Sequence, residues 1–229
     1  MKRAGILGGL SWESTITYYR IINEAVGARL GASSSADMII RSLDLALIDY
    51  HQSRGEWSAV SEILCGAAAE LEQMGADFIL MASNTVHRVY DDVQASVSVP
   101  VLHIADSLIA ALKEVGIEKA GLLGTRYTME GDFLAEKLEA AGIAVVVPDE
   151  EDFAPIHEVI FTENFDGQTS REVKDLFRRV ISGLEQKGAQ GIILGCTELG
   201  LAINEEDSCL PLFDTAVLHA KKAAEEILK

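Results

Sequence analysis

Short apolar runs alternate along this chain with longer stretches in which apolar residues return every three or four positions. Residues 3–7, 38–42, 78–81 and 99–103 are brief apolar runs bounded by turn formers, which predicts strands. Between them, residues 14–30, 55–74 and 87–95 carry the helical period. The order then repeats. Strands are expected at 120–124, 144–147, 191–195 and 210–213, and helices at 129–141, 152–163, 170–187 and 214–228. Strand–helix alternation with Ile-, Leu- and Val-rich strands predicts an α/β protein whose parallel sheets are covered by helices.

The repetition extends to the letters. Leu71-Glu72-Gln73 and Gly75-Ala76 recur as Leu184-Glu185-Gln186 and Gly188-Ala189, and in the same frame Ser83 falls on Cys196, a step of 113. Ala4-Gly5-Ile6-Leu7-Gly8 resembles Ala120-Gly121-Leu122-Leu123-Gly124, a step of 116. Val99-Pro100-Val101-Leu102 resembles Leu210-Pro211-Leu212-Phe213, a step of 111. Three segments recurring in one order indicate an internal duplication. The expected architecture is two similar α/β domains with parallel sheets and an active site in the cleft between them. The C-terminal helix is expected to return to the first domain, giving boundaries of 1–105 with 214–229, and 106–213.

Bulk properties narrow the function classes. At 229 residues the chain can bury a sizeable core. A formal charge of −17 with no basic run argues against nucleic acid as a partner. No run approaches the roughly 20 apolar residues of a membrane span, and the apolar stretch after Met1-Lys2-Arg3 is too short for a signal peptide. Three cysteines with no C-x-x-C pair fit reduced thiols, so a cytoplasmic protein is expected. Cys65 and Cys209 read as structural, Cys65 as a small buried hydrophobe.

Ligands of parallel sheets bind beyond the carboxyl ends of the strands. Here those ends read Gly8-Gly9-Leu10-Ser11, Ser83-Asn84-Thr85, Gly124-Thr125-Arg126-Tyr127-Thr128 and Cys196-Thr197-Glu198. Glycines admit a close backbone approach and hydroxyls supply donors, so the set suits a small anion. Helix capping is the plainer use of each residue taken alone. Neither G-x-G-x-x-G nor a Gly-Lys-Ser/Thr motif is present, and the five histidines lack metal-ligand spacing, so no nucleotide, cofactor or metal is expected. His87 reads as a capping or packing residue, and His103 and His157 are open. Cys196 stands at a strand end ahead of a helix starting near Thr197, whose positive end is expected to lower the thiol pKa and favour a thiolate base or nucleophile. With Ser83 at the equivalent place, the pair suggests chemistry on opposite faces of one atom.

Together, the segment from Gly5 to Ser14, Ser83-Asn84-Thr85-Val86-His87, the segment from Leu123 to Met129, and Gly195-Cys196-Thr197-Glu198-Leu199-Gly200 resemble the aspartate/glutamate racemase family nearly end to end. His51-Gln52-Ser53-Arg54-Gly55-Glu56-Trp57 resembles the subgroup that acts on acidic amino acids. The resemblance implies a cofactor-independent racemase, a homodimer, that converts L-Asp or L-Glu to the D-form. It implies Cys196 as the second-half acid/base and Ser83 as its first-half partner. Leu10, Asn84, Thr85, Thr125, Thr128 and Thr197 would surround the amino acid, and Gln52 would meet the distal carboxylate. Glu198 would meet the substrate ammonium or orient Cys196, and Arg126 either supplies charge or stays at the surface. The family usually has Cys at both catalytic places, and Ser83 departs from that. Two alternatives follow: a single-cysteine decarboxylase or isomerase of a related dicarboxylate, or a weakly catalytic protein that binds an acidic amino acid.

Overall fold

Among the described residues, eight short strands form two sheets of four, each entirely parallel. The computed structural model describes residues 1–162 and 169–229. In chain order the elements are β1 (Ala4–Gly8), α1 (Trp12–Leu30), β2 (Met38–Ser42), α2 (Leu45–Gln52), α3 (Trp57–Gln73) and β3 (Phe78–Met81). A 3-10 turn (Thr85–Val89) leads into α4 (Tyr90–Ser96), β4 (Val101–Leu102) and α5 (Ile104–Glu114). The second set is β5 (Lys119–Leu123), α6 (Arg126–Met129), α7 (Asp132–Ala140), β6 (Ala144–Val146), α8 (Glu150–Thr162), α9 (Arg171–Gln186), β7 (Gly191–Leu194), α10 (Leu199–Ala202), β8 (Leu212–Asp214) and α11 (Thr215–Ile227). The chain divides into two compact units, Met1–Ile104 with Ala216–Lys229, and Ala105–Thr215.

Strand order is β2-β1-β3-β4 in one sheet and β6-β5-β7-β8 in the other. The pairing register repeats as well. Ala4 pairs with Phe78 and Ala120 with Gly191, steps of 116 and 113, while Ile79 with Val101 becomes Ile192 with Leu212, steps of 113 and 111. These are the same steps that relate the repeated letters. The duplication is therefore one of hydrogen-bonded geometry, not of composition alone.

All eight predicted strands form; β6, β7 and β8 are one residue shorter than their apolar runs and β4 is three shorter. The helix expected over 129–141 is broken into α6 and α7 at Gly131, where a Cβ would sit 2.5 Å from the Tyr127 carbonyl. Residue 163, the last of the helix expected over 152–163, lies outside the described residues. α2 and α5 were not predicted. α2 begins at the Asp44 cap, whose carboxylate accepts from Ala46 N–H at 3.0 Å, and its first four residues are all apolar. That run has no helical period to read.

In the first unit both faces of the sheet are covered. Leu7, Ile79 and Met81 pack against Leu64, Ala67, Ala68 and Leu71 of α3. Ala4, Ile6, Phe78 and Leu80 face α1, through Tyr18, Ile22 and Val26, and α11, through Ala216, Ala220, Ala223 and Ala224. The small alanines let α11 lie close to the sheet, and Lys2 N–H donates to the Ile227 carbonyl at 2.9 Å, which ties that helix to the start of β1. In the second unit Leu123, Ile192 and Leu194 pack against Phe177, Val180, Ile181 and Leu184 of α9. Each large side chain buried in this way contributes about 1.5–3 kcal/mol, so the central strands are held firmly. Their carboxyl ends are where the candidate residues stand.

Candidate active-site residues at the strand ends

β7 ends at Leu194 and delivers Gly195 and Cys196 to the rim of its sheet. Gly195 N–H donates to the Leu123 carbonyl at 2.7 Å, and a Cβ on Gly195 would lie 2.8 Å from that same oxygen. A side chain there would push β5 and β7 apart. Gly124, at the end of β5, has Thr128 3.0 Å from where its Cβ would be, so Thr128 seats against both strand ends. Thr128 is fully buried and Thr125 nearly so, with their hydroxyls 3.2 Å apart. Thr125 also stands at the N-terminus of α6 with an extended backbone.

Cys196, Thr197 and Glu198 are half-buried and converge on one oxygen. Cys196 Sγ donates to Glu198 Oε2 at 2.8 Å, and Thr197 Oγ1 donates to the same atom at 2.7 Å. Orienting Cys196 was one of the two roles expected for Glu198, and this hydrogen bond is the contact that role needs. Its consequence reverses the expectation for the thiol. Burial, then the charge of Glu198 and its hydrogen bond, and then Asp214 push the Cys196 thiol well above its ordinary range. The expected thiolate-favouring helix end is not there: α10 is a single turn that begins only at Leu199, with Glu198 itself at its N-cap. A carboxylate beside the sulfur outweighs so short a helix. At rest Cys196 is a protonated thiol with its proton directed at Glu198.

The first unit presents an equivalent rim. Ser83 follows β3 and is half-buried, while Asn84 and Thr85 are buried. Leu10 follows β1, the strand that pairs with β3, and is buried too. Gly9, beside it, has φ +75°, and a Cβ there would meet the Leu43 carbonyl at 2.1 Å. Only glycine fits that turn. The Ser83 carbonyl accepts from His87 Nδ1–H at 2.8 Å, and the buried His87 ring packs against Tyr90 and His103; of the capping and packing roles expected for it, it takes the packing one. The Ser83 hydroxyl makes no hydrogen bond among the described residues. The helix expected to start at His87 is preceded by the 3-10 turn, and α4 proper begins at Tyr90.

Gln52 is buried at the end of α2, remote in sequence from the other rim residues. The turn after it is held by a His51–Glu56 hydrogen bond of 2.7 Å and by Arg54 stacked 3.6 Å over the Tyr50 ring. Arg126 is exposed and paired with Glu130 at 2.7 Å, which gives it the surface role. Cys65 is half-buried in α3 against the core, whereas Cys209 is exposed, its thiol raised by partial burial and by Glu185. Among the described residues no three His, Cys, Asp or Glu side chains are placed to hold a metal ion, and no helix is long and apolar enough to cross a membrane. Sequence reasoning passed over Asp214, the last residue of β8, whose charge adds to the rise of the Cys196 thiol. Its position one residue past the repeated Leu210–Phe213 segment was the available signal.

Comparison with known proteins places this arrangement. The model of the Asp/Glu/Hydantoin racemase family matches residues 7–223. The broad specificity amino-acid racemase RacX of Bacillus subtilis (strain 168) is 26% identical over 229 residues, 98% of this chain and 97% of its own length. A Yersinia pestis protein described as a candidate Asp/Glu racemase is 45% identical, with a TM-score of 0.92 and complete coverage of both chains. An aspartate racemase homologue from Pyrococcus horikoshii OT3 is 36% identical, with a TM-score of 0.86 and complete coverage of both.

Proposed function

The chain belongs to the Asp/Glu/Hydantoin racemase family and is an isomerase, and from that premise we propose that it interconverts the L- and D-forms of an acidic amino acid without a cofactor. In this reading Cys196 and Ser83 act on opposite faces of one α-carbon. The observation that carries it is the Cys196–Glu198 pair at the end of β7, matched in register by Ser83 at the end of β3.

The protonated resting thiol shapes the mechanism. Glu198 draws the Sγ proton along the 2.8 Å hydrogen bond as the sulfur takes the α-proton of the L-amino acid. The Cα–H electron pair moves into the substrate carboxylate, and the Ser83 hydroxyl side returns a proton to the other face, with water restoring the hydroxyl. Thr125, Thr128, Thr197 and Asn84 are read as donors to the substrate carboxylates, with Thr85 and Leu10 shaping the pocket and Gln52 facing the distal group. Names among the relatives span aspartate and broad specificity, so the acidic preference rests on these assignments. We take the enzyme to be a cytoplasmic homodimer with its three free thiols reduced.

Incubation of the protein alone with L-Asp or L-Glu, followed by chiral chromatography, is expected to yield the D-enantiomer, and Cys196→Ser to abolish it. Absence of D-product from both amino acids would remove the proposal. A second reading draws on the unpartnered Ser83 hydroxyl: one competent thiol suffices to protonate a single face after loss of CO₂. Release of CO₂ from a substituted malonate, or isomerisation of maleate, without racemisation would favour that reading.

A further inference from the structure

Three buried histidines, the buried Tyr18 and the half-buried Tyr90 lie close to Ser83 in the first unit, and the reaction above uses none of them. His87 sits in the 3-10 turn after Ser83, His103 just past β4 and His219 in α11, each at most 3% exposed. The His87 ring is 4.7 Å from His103 and 5.9 Å from His219, centroid to centroid, and Tyr90 lies 4.5 Å from His103. His87 Nδ1 meets the Ser83 carbonyl at 2.8 Å, and its Nε2 meets the Ile104 amide at 3.2 Å. A carbonyl only accepts and an amide N–H only donates, so these partners fix His87 as the neutral ring protonated on Nδ1. His219 is held likewise: Tyr18 O–H donates to its Nδ1 at 2.9 Å, and its Nε2–H donates to the Leu102 carbonyl at 3.1 Å. One ring thus ties the end of β3 to the start of α5. The next, His219, holds the end of β4.

We propose that His87 is a positioning residue for the first-half acid/base, fixing through the Ser83 carbonyl the peptide from which the Ser83 hydroxyl projects. The claim rests on the racemase reading. The duplicated unit shows what is special here. The steps of 113 and 111 carry His87 onto Gly200 and His103 onto Asp214. There the Asp214 carboxylate fills the space beside Gly200, where a Cβ would lie 2.1 Å from Oδ2. The Cys196 carbonyl takes a main-chain partner instead, the Leu199 N–H at 3.1 Å. One unit therefore holds its strand end with backbone and sets carboxylates beside a thiol. The other holds its strand end with an imidazole and presents an unassisted hydroxyl, which can deliver a proton only from the right place.

A one-base reaction reads the two faces separately. With 3-chloroaspartate, removal of the α-proton expels chloride from Cβ, and the Cα–H pair becomes the Cα–Cβ double bond of an enamine that hydrolyses to oxaloacetate and ammonia. The D-enantiomer reports position 83 and the L-enantiomer reports Cys196. In a Ser83→Cys background, where both faces carry a thiol, adding His87→Phe should lower ammonia release from the D-enantiomer about tenfold or more. Release from the L-enantiomer should stay within about twofold. His87→Asn, whose amide N–H can stand where Nδ1–H stands, should recover most of the loss. Should the Phe variant not fold, His87→Gln, whose amide reaches only toward Nε2, takes its place. Equal losses on both faces, or no change on either, would overturn the role of His87 alone. Elimination from neither enantiomer by the Ser83→Cys protein would overturn the racemase reading and this role with it.

Discussion

Replacing Glu198 by Gln is expected to move the Cys196 thiol and the catalytic rate in opposite senses. The carboxylate raises the thiol pKa by charge and by accepting its proton, so its loss should shift the pH profile of Cys196 alkylation to lower pH. The same change removes the group that takes the Sγ proton, and racemisation should fall by about 10²-fold or more. Slower turnover with an unmoved alkylation profile would contradict the assigned pair. At the other face, Ser83→Cys should raise kcat in the D-to-L direction. Enantiomers have equal free energies, so kcat/KM must match in the two directions, and any advantage of L-to-D turnover has to appear in kcat and KM together. Measured kinetics in both directions for the Ser83→Cys variant check this, and an unchanged D-to-L kcat would remove Ser83 from the mechanism. The candidate residues at the two strand ends were legible from their place after apolar runs. The protonation of Cys196 was not, because spacing does not reveal that the following helix has one turn. The His87–Ile104 bond joins residues 17 apart, across a strand and a helix, and no local pattern announces it.

At the scale of elements, most strands were legible because they are short apolar runs ended by Gly, Pro or a hydroxyl residue. α5 carries a readable period at Ile104, Leu108 and Leu112, yet it directly follows the apolar run of β4, which obscures where one element stops. α11 illustrates what such packing costs and gives. It brings His219 under the sheet, where burial and nearby His87 lower its pKa from 6.5 to about 3. Below about pH 6.5 the unfolded chain takes up a proton that the folded chain refuses, so stability should fall by about 1.4 kcal/mol per pH unit as pH drops. The loss ends near pH 3, where the folded ring itself titrates. Glu226, lowered to about 2 by Lys2 and Lys229, adds a loss of the same sign only below its ordinary 4.5. Urea unfolding between pH 6.5 and 5 therefore excludes the Glu226 contribution, and the His219 share is read by difference from a variant. His219→Phe should flatten that slope by about one proton, and identical slopes in the two proteins would contradict the buried neutral ring.

At the scale of the whole molecule, the duplication is the property on which fold and function both depend. It was visible in three sequence segments, and the strand registers repeat it with the same steps. Duplication explains why two units present comparable strand ends, and divergence within it explains why those ends differ. One end kept a thiol beside Glu198 and Asp214. The other has a hydroxyl backed by neutral imidazoles. The central claim is that these ends serve opposite faces of one α-carbon, and deuterium incorporation tests it most directly. L-Asp or L-Glu incubated with the enzyme in D₂O should give D-product carrying one α-deuterium from the first turnover, while the L-substrate recovered early stays largely unlabelled, because the returning proton comes from the solvent-exchanged group on the opposite face. Label appearing in the L-substrate with no D-product formed, or no label in either enantiomer, would contradict it.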